Sequence, residues 1–307
     1  MNKIALLISL FCSVASAAIA RAEIPGQWNL VWSDEFTGNS LDSSKWTCDE
    51  GNGLVLNSGQ IVWGWGNNEL EYYTGRPENV YVQGGMLHIR AQREEYGHCH
   101  YTSAKLITKD HFAKMYGRFE FMAKLPVGKG MWPALWLLPQ DNAYGTWPSS
   151  GEIDIVESRG QEPTKVLGTL HFGSVGSGHD WVEDDFTFPP GQTINQFHVY
   201  DLVWEPGVMR YYVDGTLYAT KRWWWSSSHP NVGGRHDRPD DSVVNAWPAP
   251  FNKPFYIIMN LAIGGNFLGN PDATTVFPQE MLVKYVRVYD KADGYGEAEP
   301  PAKQLGN

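Results

Sequence analysis

Apolar side chains in this chain recur at every second position, and the three-and-four spacing of an amphipathic helix is almost absent. A sequence with that period buries its apolar half as pleated sheet, because successive strand residues face opposite sides. Tyr116 to Lys124 places Phe119, Phe121 and Ala123 on one face and Arg118, Glu120 and Lys124 largely on the other. Trp132 to Leu138 gathers Trp132, Ala134, Trp136 and Leu138 on one side. Val80 to Ala91 reads as a hairpin turning at Gly84-Gly85, and Met209 to Thr220 as another turning at Asp214-Gly215. Val166 to Phe172, Phe197 to Trp204, Phe255 to Ile263 and Met281 to Asp290 continue the series. Strands of this length joined by Gly/Pro turns predict an all-β, antiparallel sandwich. No break in composition marks a second domain within the 307 residues.

One strand departs from the pattern. Glu152-Ile-Asp-Ile-Val-Glu157 carries three acids separated by strand formers. Glu152 and Asp154 share a face, but Glu157 is five positions from Glu152, which a regular pleat sends to the opposite side. One extra residue, a β-bulge near Ile155 and Val156, returns it to the acidic face. Adjacent like charges repel, so a purely structural strand gains nothing from them. Retaining glycoside hydrolysis, in contrast, needs a carboxylate nucleophile and a carboxylic acid about 5 Å apart. The middle Asp154 separates the pKa values of its neighbours. A solvated face or a calcium site would use the same residue types, so the surrounding chain has to decide.

Residues 1–22 read as a cleaved secretory leader: Lys3, an apolar run from Ile4 to Val14, then Ala15, Ser16, Ala17, Ala18 and Ala20. The expectation is an extracellular protein, with a sandwich domain over 23–293 and a polar, Pro-rich, flexible tail over 294–307. No later run is long and apolar enough for a transmembrane helix. The net charge is −10 and no basic run occurs, which argues against nucleic acid and anionic membranes as partners. A neutral substrate fits better. Cys48 and Cys99 remain after the leader, and in an oxidising compartment the expectation is a disulfide. His98 and His100 flank Cys99, but three adjacent strand residues cannot converge on one metal.

The chain holds 14 Trp and 15 Tyr, and several lie outside any periodic core face. Trp65 sits among Gly64, Gly66, Asn67 and Asn68, and Trp147 lies five residues before Glu152. Sugar rings stack on aromatic planes while their hydroxyls need amide and charged partners. Trp132 and Trp136, mixed with Asn67, Arg76, His171 and Asn260, would meet both needs, whereas Trp28, Trp32, Trp46 and Trp204 read as core. Trp223 to Pro250 is the longest strand-poor stretch, of the length that is usually functional or disordered.

Together these segments resemble the family-sixteen glycoside hydrolases, specifically the laminarinase-like branch with the bulged acidic strand. The resemblance spans nearly the whole chain after the leader. It rests on Glu152 to Glu157 with Ser158-Arg159-Gly160, and on Trp32-Ser-Asp-Glu-Phe36 and Asn67-Asn-Glu-Leu-Glu-Tyr-Tyr-Thr74. It rests also on Tyr116-Gly-Arg-Phe-Glu120, Gly130-Met-Trp-Pro-Ala-Leu-Trp136, Asn260-Leu-Ala-Ile-Gly-Gly265 and Tyr285-Val-Arg-Val-Tyr-Asp290. The chain departs at Phe267, where many laminarinases carry Trp, and in the long Trp223 to Pro250 stretch.

The resemblance implies a β-jelly-roll sandwich with a concave cleft. It implies Glu152 as nucleophile, Glu157 as acid/base and Asp154 as auxiliary acid. Substrate contacts would come from Asn67, Arg76, Trp132, Trp136 and His171. No cofactor would enter the chemistry, but a structural calcium would be held by Glu35, Asp290 and a carbonyl near Gly85. The expected partner is a neutral β-glucan, cleaved internally by a monomeric, secreted enzyme. A mixed-linkage glucan or a galactan as substrate, and a non-catalytic glucan-recognition protein, are the alternatives.

Overall fold

The alternating runs do divide their residues between a shared interior and an outer face. The computed structural model describes residues 23–56 and 59–302, so the expected leader lies outside the described residues. In chain order the strands are β1 (Trp28–Asp34), β2 (Thr47–Asp49), β3 (Gly53–Val55), β4 (Ile61–Trp63), β5 (Glu71–Tyr73), β6 (Val80–Gln83), β7 (Met86–Tyr96), β8 (Cys99–Ser103), β9 (Lys105–Ile107) and β10 (Ala113–Lys114). The second half contributes β11 (Gly117–Lys124), β12 (Met131–Pro139), β13 (Glu152–Glu157), β14 (Lys165–Gly173), β15 (His179–Thr187), β16 (His198–Glu205), β17 (Val208–Val213), β18 (Thr216–Lys221), β19 (Phe255–Ile263) and β20 (Gln279–Lys291). Two sheets pack face to face as an all-β jelly-roll sandwich, with β3 and β4 as a separate hairpin. The outer sheet runs β18-β17-β16-β11-β20-β7-β8-β5, with β1 on β20 and β6 on β7. The inner sheet runs β15-β14-β13-β12-β19-β9-β2, with β10 on β19.

Phe119, Phe121, Tyr200 and Trp204 of the outer sheet meet Leu135, Leu137, Ile153 and Ile257 of the inner one in a single buried cluster. Burying one such side chain contributes about 1.5–3 kcal/mol. In β12 the odd positions Met131, Leu135 and Leu137 are fully buried, while Trp132 and Trp136 stay partly open. The expected hairpin turns are present, with positive φ at Gly84, Gly85, Asp214 and Gly215. β15 follows β14 as an edge strand that the sequence pattern did not announce, because its residues 183–185 are all acidic.

Three expectations change. Cys48 and Cys99 are free thiols. Cys48 lies on β2 of the inner sheet and Cys99 on β8 of the outer one, and burial pushes both thiols up to about 11. The 223–250 stretch is irregular but packed: Trp224 and Trp225 are buried, Trp224 stacks on Trp247 at 4.5 Å, and Ser226 Oγ donates to Ser149 O. The expected tail is fastened in its first part, since Glu299 pairs with Arg210 and Arg222 and its carbonyl accepts from Trp247 Nε1.

Gly151 turns the chain into β13 at φ +83°, where a Cβ would stand 2.7 Å from the Phe251 ring. Both the conformation and the space exclude a side chain. Gly151→Val should lower stability by about 2 kcal/mol or more, read from the denaturant midpoint, with near-wild-type Tm overturning this account.

Candidate active site

β13 carries the acids in the arrangement its sequence anticipated. Ala134 and Leu135 pair with Glu157 and Val156, but the next residue, Trp136, pairs with Asp154, which leaves Ile155 without an opposite number. On the other side the register shifts between Asp154 and Glu157 as well. This bulge sends Ile155 and Val156 both into the core, at 1% exposure each, and frees Glu157 for the outer face with Glu152 and Asp154.

Two indole donors hold the outer acids. Trp147 Nε1 donates to Glu152 Oε2 at 2.7 Å and Trp132 Nε1 donates to Glu157 Oε1 at 2.9 Å. Asp154 is buried and hydrogen-bonds Glu152. Desolvation dominates all three. It pushes Glu152 up to about 6, against the lowering effect of Asp154, Trp147 and Lys105. Glu157 rises to about 7, with Trp132 opposing and the charges of Glu152 and Glu183 adding. Asp154 rises well above the carboxylate range, through burial first and then its charged neighbours. At a pH between these values Glu152 is ionised while Asp154 and Glu157 hold protons, which supplies a nucleophile and an acid side by side.

Of the expected contacts, Trp132, Trp136 and His171 are brought to the acids. Trp132 also lies 4.9 Å from Phe267, the residue that departs from the family's Trp. Trp136 Nε1 donates to Asn260 Oδ1 at 2.7 Å, and His171 Nε2 stands 3.4 Å from Asp154 Oδ2. Glu152, Asp154 and His171 offer donor atoms within 4.8 Å of one another. Asn67 reaches the same wall through Gly265, where a Cβ would lie 2.9 Å from Asn67 O and 3.4 Å from Trp132 Cζ3. Arg76 does not touch the acids: its guanidinium binds Glu94, Asn79 and Thr74 and lies 4.3 Å over the Tyr96 ring. None of those partners is among the residues that contact the acids.

The structure adds residues that the sequence pattern did not single out. Lys105 Nζ lies 4.3 Å over Trp65 and 5.5 Å over Trp136, and pairs with Asp49 at 3.2 Å. Behind Trp136, Asn260 Nδ2 donates to Tyr73 OH, which donates to Glu69 Oε2; Glu69 and Glu71 are both buried with raised pKa, chiefly by desolvation. The alternation Glu69-x-Glu71-x-Tyr73 was the available signal. His179, Trp181 and Arg235 close the β15 side, with Arg235 3.8 Å over the Trp181 ring.

The expected calcium ligands do not form a site. Glu35 gives both oxygens to Arg287, each at 2.8 Å. Asp290 binds Lys114 Nζ at 3.0 Å and Tyr295 OH at 2.8 Å. On β20, Asn29 lies opposite Asp290 and Asp34 opposite Val286, so Glu35 lies beside position 285. That is roughly 17 Å from Asp290 at the rise of a strand. The Gly84-Gly85 turn also lies near position 285, because Leu87 pairs with Val283. Gly85 and Glu35 share one end of the strand, Asp290 the other, and each carboxylate already holds a cation.

Comparison with known proteins places these features in a family. The sequence profile described as "Glycosyl hydrolases family 16" matches residues 65–229. Glucan endo-1,3-beta-glucosidase A1 of Niallia circulans is 46% identical over 85% of this chain, which spans 38% of that protein. Beta-glucanase of Rhodothermus marinus is 38% identical over 94% of both chains. The crystal structure of the endo-beta-1,3-glucanase from Pyrococcus furiosus superposes with a TM-score of 0.72 at 37% identity, covering 88% of this chain and 97% of that one.

Two outcomes follow. Trp132→Phe removes a donor that favours the Glu157 carboxylate, so the alkaline limb of kcat/KM should move above its wild-type position near 7 while the acid limb stays near 6; an unchanged alkaline limb would refute the role of that bond. Melting temperatures in calcium and in chelator should agree within roughly 1 °C, and a clear rise in calcium would restore the metal site. With its bulged acidic strand, indole-held carboxylates and β-sandwich, the chain belongs to glycosyl hydrolase family 16.

Proposed function

We propose that the protein is a secreted endo-acting hydrolase of β-1,3-glucans that works with retention. The observation that carries this reading is the bulged β13, which places Glu152 and Glu157 on one face with proton affinities in the order the reaction requires. Glu152 attacks the anomeric carbon as Glu157 protonates the departing glycosidic oxygen. Water then displaces Glu152, giving its proton to Glu157. Four partner positions on β12 separate Glu152 from Glu157, roughly 13 Å between Cα atoms, so both side chains must lean over Asp154 to reach the spacing that retention needs. The activities named for the relatives support the β-1,3 linkage, and the expected leader supports export. Trp132, Trp136 and Trp147 supply aromatic faces for the sugar rings, with Asn67 and His171 for the hydroxyls.

Digestion of laminarin followed by NMR should show the β-anomer first and internal cleavage products. Lichenan, agarose and carrageenan serve as competitors, and silence on laminarin sinks the linkage assignment. Glu152→Gln should retain glucan binding and lose kcat by roughly a thousandfold or more; equal sugar release from both forms would remove Glu152 from the mechanism.

A further inference from the structure

We infer that His179 is a positioning residue that fixes the tautomer of His171, so that His171 Nε2 carries its proton toward Asp154. The reading rests on the carboxylate roles just proposed.

The two imidazoles face each other across the β14–β15 pair, with His171 Nδ1 2.9 Å from His179 Nε2. Burial disfavours the charged form of both rings. His171 is pushed down to about 3 by burial, then by His179 and Arg235, and His179 is lowered by burial and Arg235 with Asp180 opposing. Two neutral imidazoles at that distance share one proton, so one ring donates and the other accepts. Which nitrogen of His171 is bare is therefore decided by His179.

The other end of His171 selects the direction. Asp154 keeps its proton and donates it as a hydrogen bond to Glu152, which lowers Glu152 and raises Asp154. That leaves Asp154 Oδ2 as a buried acceptor with no hydrogen bond, and His171 Nε2 stands 3.4 Å from it. An unpaired buried acceptor is costly, and an Nε2–H on His171 is the donor placed to satisfy it. His171 Nδ1 is then bare and needs a donor, which His179 Nε2–H supplies. The charged groups around this chain are Asp180 and Arg235, which pair with each other at 2.8 Å, the Glu152–Asp154 pair itself, Glu157 and Lys221 acting on Asp154, and Lys105 acting on Glu152. Arg235 comes from the long 223–250 stretch and also packs on Trp181, so that stretch holds the edge strand against the site. In that tautomer the donors run in one direction, from His179 to His171, from His171 Nε2 toward Asp154 Oδ2 at 3.4 Å, and from Asp154 to Glu152, the nucleophile.

The test compares His179→Phe, which removes the donor, with His179→Gln, which restores an N–H at about the same reach. For His179→Phe, kcat on laminarin should fall about tenfold with KM nearly unchanged, and the acid limb should move upward as Glu152 loses support. His179→Gln should recover most of both. Imidazole ¹⁵N NMR of the wild type should show His171 protonated at Nε2. Protonation at Nδ1 in the wild type overturns the proposal, as does an acid limb that stays put in His179→Phe or equal impairment of the two variants. The NMR readout needs no variant to fold and no substrate to be cleaved, so it separates failure of this proposal from failure of the functional reading.

Discussion

The site depends on a single unpaired residue in one strand. A regular β13 would set Glu157 into the core, where an uncompensated carboxylate costs several kcal/mol, and would expose an aliphatic in its place. The bulge at Ile155 solves both problems together. Ile155 and Val156 enter the core as neighbours, and Glu157 rejoins the acidic face. The inner sheet therefore keeps an unbroken apolar underside while its outer side carries three carboxyl groups.

Holding three acids together requires that they not all be charged. Burial disfavours each carboxylate, and the indole donors Trp147 and Trp132 return part of that cost to Glu152 and Glu157 alone. Asp154 has no indole donor and stays protonated, which turns it from a like charge into a hydrogen-bond donor. The same indoles that we propose as stacking faces for sugar rings thus also sort the protons. Their placement on the strands and loops flanking β13 follows from the sheet order, since β12 and β14 are its neighbours.

Much of this was legible in the chain. The alternation of β12, the Gly-Gly and Asp-Gly turns and the offset of five between Glu152 and Glu157 are local properties, because strand period and turn chemistry act over a few residues. The family resemblance added roles that spacing alone could not assign. Where the reading failed, the cause was long-range. Cys48 and Cys99 count as a pair but lie on different sheets. Glu35 and Asp290 are suitable ligands for calcium, yet Arg287, Lys114 and Tyr295 reach them first.

The sequence by itself determined the long alternating strands, the bulge and the acidic face, because those are set by which residues alternate and which cannot be buried. Only the tertiary structure decided which indole meets which acid, that His179 faces His171, and that the 223–250 stretch packs against the site. Those contacts join residues as far apart as Trp132 and Glu157, or Asp180 and Arg235, and no local rule brings them together. They form when two sheets close on one core and the loops between strands are left to cover its rim.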